Sequence, residues 1–124
     1  MYSQQHYLAQ QVETASPAQL VTMLYDGALA AITRARMTWD QPLEVNRELQ
    51  RAQRIITELR VTLDYERGGQ IAGNLGSLYV WMIDELIAAN IAKDADRLAP
   101  VERNLKEIRA AWVEATTGSE AAAS

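Results

Sequence analysis

Residues 63–83 read LDYERGGQIAGNLGSLYVWMI, and the reading of this stretch decides the fold. No charged residue occurs between Ile71 and Ile83, and Asp84 and Glu85 close the run. Glycines interrupt it early, so it is too short and too broken for a membrane span, which needs about 20 consecutive apolar residues. It reads instead as a helix of a soluble protein, apolar on nearly every side. Ile71, Leu75, Leu78 and Met82 recur at helical spacing and stack along one side. Ala72, Gly76, Tyr79 and Ile83 repeat that spacing one residue on. A helix in a small bundle buries one face and turns the other to water. Two adjacent apolar stripes exceed that need, which predicts a cover from beyond the helix's intramolecular neighbours.

Outward from this stretch, the pattern stays helical in both directions. On the C-terminal side the helix is expected to continue to Ala92, with a tight turn at Lys93 and Asp94. A further helix follows, with a seam of Leu98, Val101, Leu105, Ile108 and Trp112. Pro100 leaves its start open: Asp94 as N-cap would put the proline past the first turn, whereas a start near Leu98 would seat it well. On the N-terminal side Gly68 or Gly69 is expected to end the preceding helix in a left-handed conformation. That helix carries a regular seam of Val45, Leu49, Ala52, Ile56, Leu59 and Leu63. Its other faces hold Glu44, Arg47, Glu48, Arg51, Arg54, Glu58 and Arg60, most simply a solvated surface with weak pairings.

Trp39, Asp40, Gln41 and Pro42 break the chain before that helix. The first bundle helix is expected over residues 17–38. Ser16 is its N-cap, Pro17 occupies the first helical position, and Gln19 completes a capping box. Leu20, Met23 or Leu24, Gly27, Ala31 and Ala35 supply one face, and Gly27 signals close helix packing or a contact. Residues 1–15 are polar and Gln-rich, either a mobile tail or a short helix that docks. The expected architecture is all-α, an antiparallel four-helix bundle over residues 16–116. Residues 1–15 form a cap segment, and residues 117–124 a frayed tail.

Composition excludes several classes of function. The chain has 124 residues, enough for one domain, with 48% hydrophobic and 23% charged residues, as in ordinary folded proteins. A net charge of −4 argues against a phosphate-binding surface and so against nucleic acid. The absence of cysteine removes disulfides and thiolate chemistry. The opening residues lack the basic and apolar regions of a signal peptide, so a cytoplasmic location is expected. His6, the single histidine, cannot supply the Glu-x-x-His pairs of a bundle di-iron site. No metalloprotease, phosphate-loop or dinucleotide motif occurs, and neither catalysis nor a cofactor is expected. The surplus apolar surface then has four readings. It is an ordinary core helix, a homodimer face, a groove for an external amphipathic helix, or a groove covered by residues 1–15.

Certain residues carry a resemblance. Ala15, Ser16 and Pro17, then Leu20, the run from Met23 to Ala28, and Leu63, Asp64, Glu66, Gly68 and Gly69 occur in order. Ile71, Ala72, Asn74, Leu75, Leu78, Tyr79 and Met82 follow, then Ala89, Asn90, Ala111 and Trp112. Together they resemble the flagellar secretion chaperones of the FliS family. The resemblance implies a cytosolic, non-catalytic bundle that binds the C-terminal segment of flagellin, disordered in the monomer and helical in the filament. It implies that this prevents premature polymerisation and helps present the subunit to the membrane-bound type III export gate. It also implies that the N-terminal segment folds over an empty groove, and that Tyr7 acts in gate recognition. Trp81 stands where Tyr is common in the family, and Pro100 interrupts an otherwise ordinary fourth helix. The candidate partner-binding set is Tyr7, Leu24, Tyr25, Gly27, Ile71, Ala72, Leu75, Leu78, Tyr79, Met82 and Ile83. The alternative from another class is a self-associating structural or adaptor bundle closed as a homodimer.

Overall fold

The computed structural model describes the backbone of residues 4–123 and the side chains of residues 9–117. Its helices are α1 (Gln4–Thr14), α2 (Pro17–Met37), α3 (Pro42–Val61), α4 (Tyr65–Ala92) and α5 (Leu98–Ala123), with a 3₁₀ turn at Ala95–Arg97. The last four form an antiparallel bundle in which α2 packs on α3 and α5, and α4 packs on α3 and α5. Side-chain bonds fix the direction of the α2–α5 pairing. Arg36 of α2 pairs with Glu102 of α5, Asp26 with Arg109, and the Ala18 carbonyl accepts from Trp112. As one number falls the other rises, as antiparallel helices require. Arg34 bonds Glu48 across α2 and α3, and Asn90 bonds Asn46 across α4 and α3.

Local chemistry sets the helix boundaries. Ser16 accepts from the Gln19 backbone N–H while the Gln19 side chain accepts from the Ser16 N–H, the capping box expected of this sequence. The seam of α3 is fully buried from Val45 to Leu59. However, α3 stops at Val61, short of Gly68, because the Asp64 carboxylate accepts from the Arg67 N–H and starts α4 early. Gly69 does adopt positive φ (51°), but inside α4, where it breaks the helix after its first turn. Lys93 takes the left-handed conformation that closes α4. Asp94 caps the 3₁₀ turn and α5 begins at Leu98, so Pro100 falls in the first helical turn, where its missing N–H costs nothing. The expected frayed tail is helical as far as Ala123, in keeping with its Ala and Glu content.

The core is one cluster from Tyr25 on α2 to Leu105 on α5. In α4 the inner seam is Ala72, Gly76, Tyr79, Met82, Leu86 and Ala89. Ala72, Tyr79 and Leu86 are seven residues apart, so the seam follows a coiled-coil repeat that keeps Ala72, Gly76 and Tyr79 of the second stripe and takes Met82 in place of Ile83. Met82 consequently leaves the first stripe for the core, and Ile83 moves to the edge. By length and composition α4, with 28 residues, would pass for a membrane span. Its packed inner face and the carboxylates of Asp84 and Glu85 make it a bundle helix instead.

Glu48 corrects the expectation of a solvated charged face on α3. It is buried, and its carboxylate accepts from the Arg34 guanidinium at 3.1 Å.

Candidate functional site

A groove of about 340 Å³ opens where α2, the α3–α4 connection, the start of α4 and α5 converge. Val21 and Tyr25 come from one turn of α2, Leu63 from the connection, and Trp112 from α5. The α4 wall is Ile71, Ala72, Leu75 and Tyr79. Ile71 is 72% exposed, which is unusual for an isoleucine flanking a core seam. The floor is rigid: Tyr25 and Tyr79, both buried, share a hydroxyl–hydroxyl hydrogen bond of 2.6 Å. Burial raises the pKa of both phenols above the ordinary value, so the floor is uncharged. Trp112 is held in the wall because its indole N–H donates to the Ala18 carbonyl at 3.0 Å. Asp64 and Arg67 sit at the rim as an exposed pair.

Gly76 shapes the same end of α4. A Cβ there would lie 2.7 Å from the Tyr65 hydroxyl, so the missing side chain lets Tyr65 fold down over the helix. A larger residue would push that ring outward.

Of the residues expected to meet a partner, Tyr25, Ile71, Ala72, Leu75 and Tyr79 gather in this groove. Others do not. Met82 is fully buried and cannot touch a guest without unfolding the bundle. Gly27 faces α3, where a Cβ would come within 3.3 Å of Ile55 Cδ1; it serves close packing. Leu24 and Leu78 pack half-buried against the core, and Ile83 lines a different groove between α3 and α4. The side chain of Tyr7 lies outside the described residues. In the described part of α1, residues 9–14 are exposed. Gln11 and Thr14 border a separate cleft against α2 and α5 rather than covering Ile71. Val21, Leu63 and Trp112 escaped the sequence reading as wall residues. Val21 lies one turn from Tyr25, a signal that was available. Leu63 and Trp112 were legible only as the ends of core seams. Among the described residues, no three His, Cys, Asp or Glu side chains converge as a metal site.

Comparison with known proteins follows the same lines. The family model described as flagellar protein FliS matches residues 1–119. The flagellar secretion chaperone FliS of Salmonella typhimurium is 44% identical over 104 residues, 82% of this chain and 77% of that protein. FliSB of Pseudomonas aeruginosa is 39% identical, covering 88% of each chain. FliS of Bacillus subtilis is 38% identical over 88% of this chain and 82% of its own. A match of that extent, on a bundle with an open apolar groove, establishes that the chain belongs to the FliS family of flagellar secretion chaperones.

Proposed function

We propose that this protein is a cytosolic, non-catalytic export chaperone that holds the C-terminal segment of flagellin against α4. It thereby prevents premature filament assembly and helps deliver the subunit to the type III export gate. The observation that carries this reading is the groove wall: Ile71, exposed beside Leu75, Val21 and Trp112, presents apolar surface that the fold itself does not need. An amphipathic segment laying its apolar residues there would use the helix-in-groove mode. Ordering a disordered guest costs about 2 to 5 kcal/mol, so contact must extend beyond this one groove. Helix α1, whose residues 9–14 are exposed, carries Tyr7 and would offer it to the gate.

Calorimetric titration with the C-terminal peptide of flagellin from the same source tests the reading. Binding with a clearly negative heat-capacity change is expected. Ile71→Asp should weaken it at least about tenfold while leaving the bundle folded, as one buried aliphatic anchor is worth about 1.5 kcal/mol or more. No binding of the wild-type chain at micromolar concentrations would overturn the reading.

A further inference from the structure

Tyr65 and Gly76 stand eleven residues apart, about 16 Å along a straight helix and farther than a tyrosine side chain reaches. The break at Gly69 closes that gap by folding the first turn of α4 back, and the Tyr65 ring comes down on the helix at Gly76. A Cβ built on Gly76 would meet the Tyr65 hydroxyl at 2.7 Å, Leu63 Cδ1 at 3.5 Å and Tyr65 Cζ at 3.6 Å. Only the first of these is shorter than an ordinary contact. Tyr65 and Leu63 thus share one notch in α4. Around that notch Leu63, Asp64, Arg67 and Gly68 make one wall of the Ile71 groove. Tyr65 itself is half exposed, does not line the groove, and lies outside the core cluster. Neither guest contact nor core packing accounts for its seat.

We infer that the Tyr65 ring, seated in the Gly76 notch, is a clasp that positions the wall from Leu63 to Gly68 for the guest. Tyr65 and Gly76 are then positioning residues of the groove rather than contacts. This rests on the function proposed above. The tight point is the hydroxyl, the free end of a half-exposed side chain. A methyl group at position 76 therefore displaces the ring and not the helix, and the wall loses its anchor. The buried seam need not move, and alanine favours a helix over glycine. Binding and stability come apart at this residue.

Gly76→Ala, Tyr65→Phe and the double variant test the inference on the full chain. Gly76→Ala should bind the flagellin C-terminal peptide about tenfold more weakly in calorimetry, as the loss of one aliphatic wall contact implies. Its urea midpoint should equal or exceed that of the wild type. Tyr65→Phe removes only the oxygen at 2.7 Å, so it should bind as the wild type does and should restore in the double variant what Gly76→Ala loses. A second readout needs no guest. The Arg67 N–H donates to the Asp64 carboxylate at 3.2 Å and the Gly68 N–H to the Asp64 carbonyl at 2.8 Å. Hydrogen exchange of these two amides in the free protein should quicken in Gly76→Ala and slow again in the double variant. The inference is overturned by unchanged exchange in Gly76→Ala, or by unchanged binding where the wild type binds, since the ring would then swing aside without disturbing the wall. A urea midpoint that falls in step with binding, or no rescue by Tyr65→Phe, overturns it too, by making Gly76 a packing requirement of the core. A wild-type chain that ignores the peptide while exchange responds as expected supports the clasp and overturns the function proposed above.

Discussion

Helices α3 and α4 pack side by side, and each buries a seam at coiled-coil spacing, yet their outer faces differ. Outside its seam α3 carries Arg47, Arg51, Arg54 and Glu58; outside its own, α4 carries Val80, Trp81, Ile87 and Ile91. The bundle needs only the seams. Charge on the outer face of α3 is solvated, whereas Val80, Trp81 and Ile87 leave more than a third of their apolar surface exposed and Ile91 leaves 81%. The difference separates what the fold requires from what is left for a partner.

The comparison breaks most easily at Leu86 and Ile87. Leu86 is fully buried, and Leu86→Ala should lower stability by about 2 to 5 kcal/mol in urea unfolding. Ile87→Ala, next door but 40% exposed, should cost clearly less, about 1 kcal/mol. Comparable losses at the two positions would show that the outer face belongs to the core after all. A smaller effect is expected at Glu48, the exception on α3. Glu48→Ala leaves Arg34 without its partner, but Arg34 is nearly half exposed and solvent screens it, so a loss of about 1 kcal/mol is expected in the same assay.

The tyrosine pair adds a pH dependence. Burial holds both hydroxyls protonated above the pH at which an unfolded tyrosine, with a pKa near 10, gives up its proton. Their contribution is therefore complete below about pH 10 and is lost progressively as the pH rises beyond it. Urea midpoints should fall above pH 10, and less steeply in the Tyr25→Phe/Tyr79→Phe double variant. The smallest change should follow removal of residues 1–15. The bundle should stay folded, since no core residue among those described lies before Tyr25, and hydrophobic-dye binding tests whether the segment acts as a cap. A large rise in dye binding would place the segment over the groove.

Much of this architecture was legible in the sequence because it rests on local rules. The capping box at Ser16 and Gln19, the seam of α3 and the close approach at Gly27 each follow from a few adjacent residues. What was not legible depends on partners distant in the chain. Glu48 looks like any helix-surface glutamate until Arg34 is brought beside it. Two neighbouring apolar stripes on α4 looked equivalent, and only the bundle decides that Ala72, Gly76 and Tyr79 of the second turn inward with Met82 while Ile71 stays out. The groove itself was half visible: its α4 wall was expected, but Val21, Leu63 and Trp112 join it only when three further segments converge.

The break at Gly69 has a mechanical consequence. The helix is kinked at that residue, so the single turn ahead of it, which carries Tyr65 and Arg67, points in a different direction from the rest of α4. That turn and the adjoining Leu63 form one side of the groove. The wall made by this turn is therefore set by the backbone angles of one glycine, whereas the tyrosine floor is held by the core of the bundle.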